Sequence, residues 1–280
     1  MITTRNRAGD LERTCRVLVQ LSPVPFEILV TADGCTDETV ETVKSIVPEA
    51  RLFINAEAWG SIASRDRMIR EARGELVFSL DDDSYPEQLN CISHFTLLFE
   101  QNPRLAVLHF PQRTDEFPQT LSQSDFGPQR LTRSFPSSGA VLRRSTYVEL
   151  SGFETSFFHA YEEPDYALRC IGRHYQVMMS PLVTIRHHFA TLDRNEIATH
   201  HYHARNELLS AVMRCPAFYL PFVLIYRVAS QFRYAGTRGI SWMVREPKWW
   251  WQAAKGIPRS WRKRRPVSWA AYRRWLSLGG

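Results

Sequence analysis

Along the first hundred residues, short β-branched runs alternate with longer stretches whose apolar positions recur every three or four residues, and a polar cluster marks each change of period. The alternation predicts strands over 2–4, 26–31, 51–54 and 75–80, with helices over 10–21, 37–47 and 61–73. Val40, Val43 and Val47 share one face of the second helix; Thr36 stands at its expected N-cap and Gly74 just past the end of the third. Strands and helices in strict alternation predict a parallel sheet. The strand over 2–4 begins almost at the first residue, so either it is short or its true start lies upstream.

Past residue 100 the pattern changes. Residues 110–136 are rich in Pro, Gln, Ser and Thr without a period, which predicts a long loop or lid. A short strand over 139–142, a helix over 164–173, extended stretches over 175–179 and 183–187 and a helix over 195–214 follow. From Pro216 onward the chain is apolar and aromatic, and there is no internal repeat. The expected organisation is an α/β unit over 1–215 with a mostly parallel, Rossmann-like sheet, and a helical, basic region over 216–280.

Composition narrows the class. With 44% hydrophobic, 23% charged and 12% aromatic residues, the chain has the apolar mass for a large core, which excludes disordered and collagen-like architectures. The net charge of +6 is unevenly placed: residues 238–280 hold eleven Lys and Arg against one acid, Glu246, together with seven of the eight tryptophans. Such a segment calls for an anionic partner. Tryptophan favours the membrane interface, so an anionic membrane surface is the expected partner and nucleic acid is not. Cys15, Cys35, Cys91, Cys170 and Cys215 form no CxxC pair, so neither a zinc knuckle nor a disulfide framework is predicted and a reducing cytoplasm fits. The first residues lack the apolar stretch of a secretory leader, and the longest apolar run, 217–226, falls well short of the roughly twenty residues of a spanning helix. The expected location is cytoplasmic, peripheral at the inner membrane surface.

In open parallel sheets ligands lie beyond the carboxyl ends of the strands. Here those loops are acidic: one reads Asp33-Gly34-Cys35-Thr36-Asp37, the other Asp81-Asp82-Asp83. Adjacent carboxylates raise one another's pKa unless a cation neutralises them, and Mg²⁺ or Mn²⁺ accepts such ligands along with substrate phosphates. Alone, the triplet fits equally a solvated turn that caps a helix from about residue 86. Glu162-Glu163-Pro164-Asp165 opens a helix, where the dipole favours acids for purely structural reasons as well. His187-His188 closes a strand, and its company of strand-end acids points to a site. His200, His201 and His203 are expected as surface or acceptor-side residues in preference to a second metal site.

The ordered set of these motifs resembles the inverting, metal-dependent glycosyltransferases of family 2, with the GT-A fold, over roughly residues 1–210. It runs from Thr3-Thr4-Arg5-Asn6-Arg7 through Asp33-Gly34, Ser64-Arg65-Asp66, Leu80-Asp81-Asp82-Asp83, Ser138-Gly139 and Gly152-Phe153 to Glu162-Glu163-Pro164-Asp165 with Leu168-Arg169, and then His187. The resemblance implies that Thr3, Arg5, Asp33 and Arg65 line the nucleotide pocket, with Asp33 accepting from the base. Asp81 and Asp82 then face the ribose and sugar of a nucleotide-diphosphate sugar donor, while Asp83 and His187 hold Mn²⁺ or Mg²⁺. Glu163 takes the position of the catalytic base, where many members carry Asp. Glu162 is left to orient the acceptor, a glycan or lipid-linked glycan precursor, and Asp165 to support the helix start. Arg205-Asn206 resembles an element near the acceptor side. Two other readings are a metal-dependent nucleotidyltransferase and a non-catalytic membrane- or nucleic-acid-binding module. The first leaves Glu163 and His187 without work, and no glycine-rich phosphate loop stands near the N-terminus.

Overall fold

A computed structural model describes residues 1–188 and 195–279. The first half alternates as β1 (Ile2–Thr4), α1 (Ala8–Leu18), β2 (Leu29–Asp33), α2 (Thr39–Ile46), β3 (Arg51–Asn55), α3 (Ser61–Glu71) and β4 (Leu76–Asp81). There follow β5 (Ser84–Pro86), α4 (Cys91–Gln101), β6 (Leu105–His109), β7 (Gln112–Thr114), β8 (Arg130–Leu131), β9 (Gly139–Arg143), α5 (Arg144–Glu149) and α6 (Glu162–Gly172). The chain continues through β10 (Gln176–Met179), β11 (Ile185–His187), α7 (Glu196–Arg214), α8 (Leu220–Arg238), α9 (Ile240–Met243), α10 (Glu246–Arg262) and α11 (Trp269–Ser277).

The main sheet has the order β3-β2-β1-β4-β9-β6-β10-β8. Its β3-β2-β1-β4 half is parallel, as the alternation predicts; β9 runs antiparallel between β4 and β6. Successive side chains on a strand point to opposite faces, and the two cores follow from that. Leu29, Val107 and Leu142 pack on one side with α3 and α6; their neighbours Val30, Leu108 and Val141 pack on the other with α1 and α4. Both faces are covered, so β2 and β6 are buried along their whole length.

The structure departs from the pattern in identifiable places. Residues 26–28 do not join the sheet, and Phe26 is exposed. Thr36 does not cap α2: its amide bonds Asn6 Oδ1, and Asp37 Oδ1 accepts from the Thr39 amide at 3.2 Å. The stretch over 110–136 carries β7 and β8, and β5 stands where a helix start was expected. β5, β11 and β7 form a second, small sheet.

The region over 216–280 is helical and packs against the α/β unit. Leu168 and Ile171 of α6 share a core with Tyr272 and Trp275 of α11, and the Trp275 indole donates to Arg133 O at 2.8 Å. Lys263 reaches Glu154 at 2.6 Å. His200 and His201 are buried, not on the surface: His200 Nε2 lies 2.8 Å from Glu246, which also accepts from the Trp249 indole at 2.7 Å, tying α10 to α7. His203 is exposed and stands edge-on to the Tyr161 ring. Among the described residues no helix is long and apolar enough to cross a membrane.

Candidate active site

The acidic turn after β4 is closed by the Asp81 amide donating to Ser84 Oγ at 2.8 Å. Thr14 on α1 donates to Asp82 O at 2.7 Å, which fixes the turn from below. The small sheet then delivers His187: β11 pairs with β5 so that His187 stands opposite Ser84, and the His188 amide donates to Asp83 O at 2.8 Å. Gln112, on β7, presents Oε1 to His187 Nδ1 at 3.1 Å while its Nε2 donates to Ser138 Oγ at 2.7 Å. With Nδ1 committed there, Nε2 is the ring nitrogen turned to Asp83 Oδ1, 3.2 Å away, where a proton or a cation can sit between them.

Arg7 reaches this cluster from the loop before α1. It donates to Asp82 Oδ1 and Asp83 Oδ2, both at 2.7 Å, and bonds Asp10 at 2.9 Å. Burial opposes the Arg7 charge, but the surrounding aspartates outweigh it and its pKa is raised. Burial pushes Asp82 up to about 7, against the pull of Arg7 and with the adjoining Asp83 and Asp81 adding to the rise. For Asp83 burial acts upward too, yet His187 and Arg7 together hold it below the usual carboxylate range.

The donor set fits a hard divalent cation. Among the described residues Asp81, Asp83 and His187 each offer a ligand atom within 4.8 Å of the others. Asp83 Oδ1 is buried, with His187 Nε2 at 3.2 Å. Two carboxylates and one imidazole suit Mn²⁺ or Mg²⁺. The structure thus adds Asp81 to the pair expected from sequence.

Thr3 sits on β1 between Thr31 and Asp81, and Arg5 is exposed on the loop that follows. Asp33, at the end of β2, is engaged from within the chain: it accepts from Asn55 Nδ2 (2.7 Å), Ser64 Oγ (3.2 Å) and the amides of Trp59 and Gly60 (both 2.9 Å). Those bonds fix the loop between β3 and α3; three fall on Oδ1 and one on Oδ2, which leaves Oδ2 room for a further donor. Gly34 makes the approach possible, because at its φ of +69° a Cβ would lie 2.8 Å from the Ala58 amide nitrogen. Arg65 on α3 bonds Asp81 on one side and stands 3.8 Å from Glu162 on the other, so one buried guanidinium joins the two acidic clusters.

The three carboxylates at the start of α6 have separate surroundings. Glu162 is buried, and burial, reinforced by Glu163, lifts its pKa well above the usual range despite Arg65. Glu163 is half-buried and accepts from the Ser137 amide at 3.4 Å. Asp165 is fully buried and taken by Arg169 (2.9 Å), Arg214 (3.0 Å) and Ser210 (2.8 Å), which pins α6 to α7.

The segment before α6 turns sharply, with Phe158, Ala160 and Tyr161 all at φ between 66° and 74°. Non-glycine residues persist there only when the surroundings over-determine them. Asn206 on α7, wholly buried, does this: its Nδ2 donates to the carbonyls of Phe157 (3.2 Å), His159 (2.8 Å) and Ala160 (2.8 Å). Arg205 Nε donates to Asn206 Oδ1 at 2.9 Å and orients the amide. The sequence pointed to Arg205-Asn206 without this role, and gave Arg7, Gln112 and Ser137 none.

The half-parallel sheet with acidic strand ends, an imidazole brought to them by a small second sheet and acids opening α6 define a GT-A glycosyltransferase. The chain belongs to glycosyl transferase family 2, whose family model matches residues 1–172. YwdF of Bacillus subtilis, an uncharacterized glycosyltransferase, is 24% identical over 208 residues, 71% of this chain and 76% of its own length. Among solved structures, the mannosyltransferase PcManGT from Pyrobaculum calidifontis, in complex with GDP-Man and Mn²⁺, superposes with a TM-score of 0.60 at 17% identity, over 91% of this chain and 85% of its own. The TarS 1–349 structure from S. aureus, in complex with UDP-GlcNAc, gives 0.63 at 14% identity, over 92% and 80%. These likenesses show a shared fold.

Proposed function

We propose that this chain is an inverting, divalent-metal-dependent glycosyltransferase that moves a sugar from a nucleoside diphosphate sugar to an acceptor hydroxyl. The observation that carries the reading is Arg65, which connects a metal-competent Asp81, Asp83 and His187 cluster to the acids that open α6. Asp81, Asp83 and His187 would hold Mn²⁺ or Mg²⁺, which when bound neutralises the charge growing on the leaving diphosphate. Thr3 and Arg5 line the nucleotide side, with Asp33 shaping its loop and Asp82 held by Arg7. Glu163 takes the proton of the attacking hydroxyl. Glu162, whose carboxyl burial and the adjoining Glu163 push upward despite Arg65, orients the acceptor or braces the loop. Asp165 braces α6. The acceptor is a glycan or lipid-linked glycan precursor met at the cytoplasmic face of the inner membrane, through an anionic surface contacted by residues 238–280.

A nucleoside diphosphate panel, screened by thermal shift with and without Mn²⁺, identifies the donor, because about a hundredfold excess over Kd stabilises the native state by about 2.7 kcal/mol. Product anomers are then followed by NMR with the selected donor. Inversion at the anomeric carbon is expected, and retention overturns the single-displacement reading.

This reading makes Asn206 a positioning residue for Glu163. Asn206→Ala removes the amide donor shared by the carbonyls of the 157–160 turn, at about 1–3 kcal/mol. The expected result is a fall in kcat of about tenfold or more with donor KM nearly unchanged, since a small misplacement of a reacting group is enough for such a loss. A variant that melts earlier yet keeps its kcat below the transition gives Asn206 a purely structural role.

A further inference from the structure

The membrane contact just proposed was assigned to residues 238–280 as a block, but the structure divides that block and brings in a helix from before it. Trp249 and Trp275 are buried in the protein, whereas Trp250, Trp251 and Trp261 are exposed. On α10 the exposed residues Pro247, Trp250, Trp251, Ala254, Pro258 and Trp261 recur every three or four positions, opposite the face that packs on α7. α8 behaves alike. Its inner side is held to α7 by Glu207, which accepts from Arg227 and Gln231, both at 2.6 Å. Its outer side, continued from the preceding turn, shows Phe218 (77% exposed), Phe222 (65%) and Ile225 (70%), at a spacing of four and three. A surface helix in water carries polar residues on that side.

The two rows meet. The rings of Phe232 on α8 and Trp250 on α10 stand 6.0 Å apart, beside a groove of about 500 Å³ lined by Leu224, Ile225, Val228 and other apolar side chains. Around the aromatic row of α10 the exposed charges are Lys248, Lys255, Arg259 and Arg262, and Lys255 Nζ lies 5.0 Å from the centre of the Trp251 ring. The single acid of this region, Glu246, is buried against His200. A second copy of the chain docked here would set positive rows against positive rows.

We infer that the joined outer faces of α8 and α10 are the surface that lies on an anionic bilayer, with the Phe, Ile and Trp rows in the interface and the basic residues among the headgroups. The inference rests on the membrane reading above and changes which residues carry it. Apolar burial and basic residues at the headgroups act together at such surfaces. The basic residues of α11, Arg273 and Arg274, belong to the same charged segment but sit on a helix packed against α6.

The full chain is tested by co-sedimentation with vesicles of phosphatidylglycerol and phosphatidylethanolamine, and with vesicles of phosphatidylcholine alone. The wild type is expected to bind the anionic vesicles and to be released in 0.5 M salt. Ile225→Gln with Trp251→Gln should lower the partition coefficient at least tenfold. Lys255→Gln with Arg259→Gln and Arg262→Gln should lower it about a hundredfold, at roughly fivefold per basic residue. Arg273→Gln with Arg274→Gln should leave it unchanged, and all variants should hydrolyse soluble donor as the wild type does. No wild-type binding to anionic vesicles overturns the membrane reading itself. Binding that survives both the α8/α10 sets, or that is lost only with Arg273 and Arg274, overturns this surface while the membrane reading stands. So does a wild-type dimer that Ile225→Gln with Trp251→Gln converts to monomer.

Discussion

Asp83→Asn should weaken nucleoside diphosphate binding in Mn²⁺ by about 10² or more while the bare nucleoside binds almost as before, because the several kcal/mol a cation contributes to phosphate recognition pass through this carboxylate. The side chain is 1% exposed and faces two partners, His187 Nε2 at 3.2 Å and Arg7 at 2.7 Å. Asparagine keeps the volume and removes the charge that makes the pocket a site for a hard ion. Arg7 retains Asp82 and Asp10, so it keeps two of its three ion pairs. Calorimetric titration of UDP and GDP, each against its nucleoside, reads the difference directly. Removing the metal with EDTA should bring the wild type down to the level of the variant. Equal diphosphate affinity of wild type and variant in saturating Mn²⁺ would leave Asp83 a turn residue, and a lowered Tm would then be its only signature.

The reach of the sequence follows from which interactions have a period. β1 to β4 and the helices between them were legible within a few residues, because burial on both faces of a parallel sheet writes nearly continuous apolar runs such as Ile28 to Ala32, interrupted by Thr31. The acids at the strand ends and His187 were legible as an ordered set. What escaped is joined across the chain by single contacts. Arg7 meets Asp82 and Asp83 some 75 residues on, and Glu246 meets His200 from 46 residues away. Asn206 holds carbonyls, which have no residue identity to read. β7 and β5 are three residues each and amount to no pattern; they exist because β11 lies between them to be paired. That Asp33 also takes four donors from its own neighbours was not legible, because they come from β3, α3 and the loop between them. The charge count over 238–280 gave the sign of a partner but not a surface, since burial of Glu246 and Trp249 divides one helix into an inner and an outer face.

Glu163→Gln should lower sugar transfer by about 10² or more at nearly unchanged nucleotide affinity, because the amide keeps shape and hydrogen bonding but takes no proton. Residues 162 and 163 open a helix and point about 100° apart, so they cannot serve one hydroxyl equally. Their surroundings divide the work further. Glu162 is buried beside Arg65 with a strongly raised pKa, whereas Glu163 is half-exposed and held by the Ser137 amide. Glu162→Gln replaces a buried carboxyl with an amide of the same size, and a milder loss that falls mainly on acceptor KM is expected. Asp165→Asn uncovers the buried charges of Arg169 and Arg214, so its effect should be lost stability, of about 3–5 kcal/mol, with kcat per folded molecule maintained. Initial rates at saturating donor, with Tm measured alongside, separate the three. Normal transfer by Glu163→Gln together with a collapse in Glu162→Gln would move the base by one residue.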